Sequence, residues 1–303
     1  QALAIQAARI GHFANGADPS RRLRITVVDG NATGLVAKFR SSFPKIDNVC
    51  ELTACDIDPA SPQILAALAA IAEEGDKRRE LVTFGICLET NAQANDRDNL
   101  RLGLELSHLM GKFRSQLLLY QSTRCGFAAL FSANAHSTQQ RVYPFGMIED
   151  VFTWDVLLHE SEDRLARAVH EDYAAHYGGE AWEQLEEHFQ ESNRHAADHI
   201  PVKLRALGYL DAPLQPGPSH TTEFSKSEIL LLAQMEHRRW CAERWLNNWE
   251  YGPVRDNETK IHPDLVAWKD LPPSESVKDH EQIEAIPKIL GVVGRGIYRK
   301  VPQ

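Results

Sequence analysis

The chain has 303 residues, a formal net charge of −9, and 43% hydrophobic against 25% charged residues. That length suits about two globular domains, each able to bury a core of ordinary size. The acid excess argues against nucleic acid as the main partner: phosphate binding needs clustered cations, and here they scatter in short runs such as RRLR (21–24) and DKRR (76–79).

In chain order, residues 1–148 alternate helix and strand. QALAIQAARI (1–10) has apolar residues at helical spacing. LRITVVD (23–29) is a β-branched strand ending in an acid, ATGLVAKFRSSF (32–43) a helix, and VCELTACDID (49–58) a strand. SPQILAALAAIAEEG (61–75) opens with Ser-Pro, a helix-start signal. LVTFGICLE (81–89) reads as a buried strand and residues 95–113 as an amphipathic helix. SQLLLY (115–120) is a strand, GFAALFSANA (126–135) a helix, and RVYPFGM (141–147) a last strand. Continuous apolar strands alternating with helices imply a doubly wound, Rossmann-like parallel sheet. Its usual first strand and Gly-rich turn have no counterpart in the sequence.

In such sheets the ligand crevice lies outside the carboxyl ends of the strands. Asp29, Asp56, Asp58, Glu89 and Thr90 fall there, and Ser122 and Arg124 follow the fifth strand. Asp29 is placed to bond the ribose hydroxyls of an adenine nucleotide, or simply to begin the turn DGNATG.

Residues 149–303 read as all-helical with one long irregular loop. They divide into a helical half repeat (149–209), a Pro/Gly/Ser/Thr-rich linker (210–224) and a further helical domain (225–303). LARAVHEDY (165–173) and LAQMEHRRW (232–240) share LAxxxHxx[YW], and IPVKLRALG (200–208) and IPKILGVVG (286–294) share IPxxLxxxG. We read these as two related helical units packed on one core, with His170 and His237 at equivalent core positions. The second unit is longer by the segment around WEYGPVRDNETKIHPDLVAW (249–268).

No catalytic constellation stands out. GxSxG, a P-loop motif and HExxH are absent, and Asp163 occupies the last position of the near-match at His159–Glu160. His195 and His199 stand at i, i+4 without a third metal ligand, so we expect no metal. Cys50, Cys55, Cys87, Cys125 and Cys241 lack metal spacing, and an odd number argues against a disulfide framework and for a reducing cytoplasm. The chain opens inside a helical pattern, without Met and without an apolar run near 18 residues. We expect a fragment of a longer polypeptide, which leaves room for transmembrane segments upstream.

The aromatic segment suggests a binding surface instead. Trp249, Tyr251 and Trp268 surround Arg255, Asp256 and His262. A Gly-Pro turn would project Arg255 and Asp256. Arg suits phosphate contact and exposed aromatic rings suit stacking on a purine. We expect Trp249 and Tyr251 to expose ring faces with Arg255 at the rim. On that expectation, loss of the Trp249 side chain removes ligand without moving the thermal midpoint.

The order LAxxxHxxW, WxYGxxRD, KxHPxLVxW, then LPP (271–273) and a last helix near 275–290, resembles the ryanodine-receptor repeat (RyR) domain. The resemblance implies that Trp249 helps hold an adenine nucleotide or drug-like ligand. The first half, with its strand order, Asp29 and the loop SxRxGFAAL (122–130), resembles the NAD-binding (RCK or KTN) domain of Trk-type potassium-transport regulators. Together these imply a bacterial, cytoplasmic sensor that binds NAD, ADP-ribose or a related nucleotide, pairs as a homodimer, and serves a membrane transport partner. Two alternatives stay open: an NAD-dependent oxidoreductase or nucleotide hydrolase, and a peptide-binding scaffold.

Overall fold

The computed structural model describes residues 1–15, 21–88, 92–109, 111, 113, 115–123, 142–151, 153, 163–215 and 220–299. The expected helix at 126–135 and the candidates Glu89, Thr90 and Arg124 lie outside them. Helix α1 (Ala2–Ile10) is followed by β1 (Arg24–Asp29), α2 (Ala32–Ser42), α3 (Ile46–Val49), β2 (Glu51–Asp56) and α4 (Ile64–Lys77). Then come β3 (Val82–Ile86), α5 (Ala92–Leu109), β4 (Ser115–Tyr120), β5 (Val142–Phe145) and α6 (Ile148–Val151). The fold is mixed α/β.

The strands group as a β1-β2 pair and a β3-β4-β5 triplet. The triplet is parallel, with Phe84 facing Leu117 and Leu119 facing Pro144. In the pair, Glu51 N donates to Leu23 O and Ile57 N to Asp29 O, so register advances in the same direction along both strands. Leu117, Leu119, Phe84 and Ile86 bury against Leu68, Leu102 and Leu106 of α4 and α5. The apolar runs are thus strands that need helices over them.

The remaining chain holds α7 (Arg164–Tyr177), a 3-10 turn (Trp182–Gln184), α8 (Glu187–Ala206) and β6 (Tyr209–Pro213). These are followed by α9 (Lys226–Leu246), β7 (Glu250–Tyr251), β8 (Ile261–His262) and a 3-10 turn (Trp268–Asp270). Helix α10 (Pro273–Val292) and β9 (Arg295–Arg299) end it. The all-helical expectation for residues 149–303 is therefore corrected. β6 and β9 pair antiparallel, with Asp211 opposite Ile297, and β6 takes the first residues of the expected linker. Each strand is five residues long and follows a glycine at φ +75°, Gly208 or Gly294, which turns the chain off a helix end. So short a strand leaves little periodic signal.

By contacts the chain forms two compact units, one of Gln1–Val27, Gly34–Thr53 and Glu162–Gln303, the other of Val28–Thr33 and Ala54–Ser161. These limits run through the first domain expected at 1–148.

In the first unit the two helical copies share one core. Ile200 and Leu204, like Ile286 and Leu290, stand four apart on one helical face and are buried with Ala166, Leu232 and Ala233. Fully burying one such side chain contributes about 1.5–3 kcal/mol. Each copy runs helix, 3-10 turn with Trp, helix containing Pro, Gly at positive φ, strand. Trp182 and Trp268 each stand 19 residues before the proline, Pro201 or Pro287. His170 Nε2 donates to the Glu180 carbonyl at 2.9 Å, and His237 Nε2 to the Val266 carbonyl at 2.8 Å. Each of these rings also packs on the Trp of its own 3-10 turn, at 6.0 and 5.8 Å. Both histidines thus tie a helix to the loop that follows it.

Candidate functional site

A capping box between Ser225 and Glu228 starts α9, and its closing turns carry the aromatic cluster. His237, Trp240, Cys241 and Arg244 fall at i, i+3, i+4 and i+7, one face of the helix. The chain then leaves the helix through Asn248 at φ +65° and returns in the two-residue parallel pair β7–β8, which sets Tyr251 beside His262. Gly252 is required at that return, because a Cβ there would meet Ile261 Cγ2 at 2.4 Å. Asp256 accepts from Glu258 N at 2.9 Å and from Thr259 Oγ1 at 2.7 Å. Those bonds hold its carboxyl below the ordinary value, the Thr259 hydroxyl foremost. Asp256 is the keystone of its own turn.

The rings do not lie as the sequence suggested. Trp249 is buried, at 7% exposure, in a cluster with Cys241 and Leu265 against Trp240 and Trp245. The expectation that it exposes a ring face is corrected: the segment folds back onto α9, and an indole that large fills the gap beside Cys241. Tyr251 does expose its ring (63%), and Arg255 and Val254 are exposed beyond it. Trp268 is half-buried between His237 and His280, with ring centres at 5.8 and 5.7 Å.

Sequence reasoning did not place Arg244 or Trp240 among the candidate ligand residues. The Arg244 guanidinium sits 4.8 Å from the Trp249 ring centre and 5.3 Å from that of Trp240, at cation–π distances. It forms no ion pair among the described residues, and its buried Nε has no hydrogen-bond partner. Burial holds its pKa below the ordinary value, Arg239 and Arg255 repel it, and Glu243 only partly offsets them. Glu243 is already engaged by Arg239 Nη1 at 2.7 Å and Ser192 Oγ at 3.0 Å. Among the described residues Arg255 bonds only Asn257 Oδ1, at 2.9 Å. The spacing that could have found Arg244 is the i, i+4 step from Trp240.

His262 lies edge-on to Trp240, with ring centres 4.8 Å apart, and 6.1 Å from Trp249. Burial, then Arg255 and Arg244, lower its pKa to about 4. Its Nδ1 accepts from Asp264 N at 3.1 Å, so the neutral ring carries its proton on Nε2. Asp264 Oδ2, 3.7 Å away, is therefore no salt-bridge partner at neutral pH. His237 is the opposite case. Burial disfavours its charge, but Asp279 at 3.6 Å, Cys241 and the Val266 carbonyl together raise its pKa to about 10. Burial raises the Asp279 carboxyl too, so the two carry charge only as a pair. The result is an aromatic floor with two cations that have no acidic partner among the described residues and one neutral imidazole. That suits an anionic ligand with a flat ring.

In the other unit, Asp29, Asp56 and Asp58 end β1 and β2 or follow them, each holding a turn. Asp29 Oδ1 accepts from Asn31 N at 2.8 Å and Asp58 Oδ1 from Ala60 N at 2.8 Å. Asp56 takes the Thr33 backbone N–H at 2.8 Å and the Thr33 hydroxyl, fixing the first turn of α2. The hydroxyl, then the backbone bond, keep Asp56 ionised. Ser122 donates through N and Oγ to Asp96 of α5, at 2.8 and 2.7 Å. Asp96 also escaped the sequence reading. A cleft of about 140 Å³ lined by Ala168, Glu171, Asp172, Lys288, Ile289 and Val292 shares no residue with either set.

Among the described residues no group of three metal-ligating side chains converges, and no helix is long and apolar enough to cross a membrane. Residues 221–299, the span of α9, the aromatic loop, α10 and β9, match the RyR domain family model.

Proposed function

We propose that residues 221–299, a RyR domain, bind a nucleotide-type ligand, its ring on the Trp240–Tyr251–Trp268 side and its anionic group at Arg244 and Arg255. The observation that carries this reading is Arg244 itself. A half-buried guanidinium clamped by two indoles and left without a carboxylate is a charge held ready for an outside anion. Trp249 acts by holding Arg244 in place, while Tyr251 offers the open ring face.

The first half is the second part of the proposal. In the doubly wound order 3-2-1-4-5-6, strands 2 and 3 are neighbours and so are strands 4, 5 and 6, the same grouping as the β1-β2 pair and the β3-β4-β5 triplet. This supports a Rossmann-like, RCK-type domain that takes NAD or ADP-ribose through Asp29, Asp58 and Ser122. On this reading the protein is a bacterial, dimeric, cytoplasmic sensor that regulates cation transport. The two halves need not share a ligand.

Calorimetric titration with ADP-ribose, NAD, ADP and inorganic phosphate tests the RyR part. Saturable binding of at least one nucleotide, weakened about tenfold or more by Arg244→Gln, is expected. Binding unaffected by Arg244→Gln overturns the assignment. Turnover of NAD or ADP-ribose would instead favour an enzyme.

A further inference from the structure

Helix α1 seats on α8 and α9 through an unusual seam. Ala8 is fully buried, and Ile10 and Ala14 pack on the shared helical core. Gln6 Nε2 donates to Asp198 Oδ2 at 2.9 Å, and Arg238 Nη2 to the Phe13 carbonyl at 3.0 Å. Three imidazoles fill the seam: His12, just after α1, and His195 and His199 on α8, all under 9% exposed. His12 Nε2 donates to the Ala8 carbonyl at 2.9 Å, and His199 Nε2 to the His12 carbonyl at 3.2 Å. The rings of His12 and His199 lie 6.1 Å apart. Both nitrogens of His195 and Nδ1 of His199 have no hydrogen-bond partner among the described residues.

The charges around the seam decide what a proton would meet. From α1 comes Arg9; from α8 come Glu191, Asp198 and Lys203; from α9 come Glu236, Arg238, Arg239 and Glu243. The carboxylates are already committed. Glu236 lies between Lys203 Nζ at 2.5 Å and Arg239 Nη2 at 2.8 Å. Glu243 holds Arg239 and Ser192, Glu191 holds Arg194, and Asp198 holds Gln6. Glu191 Oε2 stands 3.4 Å from His195 Nε2, outside hydrogen-bonding geometry. A proton on His12 or His199 would face fixed cations and carboxylates that are already paired, while one on His195 would meet Glu191 Oε2 at 3.4 Å, too little to offset its burial.

We propose that α1 is a pH-released latch: it docks on α8 and α9 while His12, His195 and His199 are neutral, and leaves when they take up protons. Burial keeps all three rings below the ordinary histidine value, His12 at about 4, and the neighbouring cations push the same way. The released state therefore binds more protons than the docked one. Docking is complete above about pH 6.5 and weakens as pH falls towards about 4. Each ring that charges only on release steepens this by up to about tenfold per pH unit.

Hydrogen exchange on the full chain between pH 7.5 and 4.5, corrected for intrinsic rates, tests the latch. The opening constant of α1 amides is expected to rise at least about tenfold from pH 6.5 to 4.5, while amides in the middle of α9 change less than about threefold. Replacing all three histidines with Gln should flatten the α1 response. If that variant does not fold, His12→Gln alone, on the covering segment, should reduce it. Protection in α1 that is independent of pH, or that falls together with α9, overturns the proposal.

Discussion

The two helical copies carry one frame and two different connections. Between α7 and its 3-10 turn lie residues 178–181; between α9 and the matching turn lie residues 247–267. The frame is complete in both, down to the histidine that bonds a loop carbonyl and the tryptophan beside it. The long connection is therefore not what lets the bundle close. It brings Trp249, Tyr251, Arg255 and His262 to α9, where the shorter copy has Tyr173 and Tyr177 in place of Trp240 and Arg244. Tyr173 and Tyr177 are exposed and pack on each other with tilted rings, their centres 4.8 Å apart.

The contacts between the copies differ as much. The α8–α9 seam holds Lys203, Glu236 and Arg239, each at most 3% exposed. The corresponding α7–α10 seam holds Asp172 and Lys288, the latter 67% exposed. Glu236→Ala strands two buried cations and should cost about 3–5 kcal/mol. Asp172→Ala should cost about 0–1 kcal/mol. Chemical denaturation of both variants checks this, and equal losses would break the asymmetry. Within the long connection, Trp249→Ala should cost about 3–5 kcal/mol, because the indole is core. Tyr251→Ala should change stability by less than about 0.5 kcal/mol and lower only ligand affinity. If both leave the thermal midpoint unmoved, Trp249 is not packed as described. Asp256→Ala is the smallest of the loop effects with a structural cause, about 1 kcal/mol from the lost turn bonds, seen as faster exchange of the Glu258 and Thr259 amides.

Much of this was legible in the sequence. The strand at SQLLLY and the helices at 61–75 and 95–113 follow from their apolar patterning because each buries one face, whereas LRITVVD was legible from its β-branched run although its residues are only half-buried. The duplication was visible because Ile200, Leu204, Ile286 and Leu290 are locked in a shared core, where spacing cannot drift. Strands β6 and β9 were not visible, because their partners lie far apart in sequence and each is only five residues long. The aromatic loop was found, but its inner and outer faces were not told apart. A tryptophan's identity does not say which side of a loop it occupies, and a loop has no period to decide it. Arg244 was hidden in a run of helix charges. Only the structure shows that Arg239 takes the nearby carboxylates and leaves Arg244 with none among the described residues.

The central claim is that the long-loop copy is the ligand site and the short one is not. The indole N–H resonances of Trp182, Trp240 and Trp249, followed by two-dimensional NMR during titration with ADP, test it within one molecule. Saturable shifts at Trp240 and Trp249, with Trp182 unmoved, are the predicted result. Shifts at Trp182 of equal size, or none at Trp240 and Trp249 while ADP binds, would contradict it.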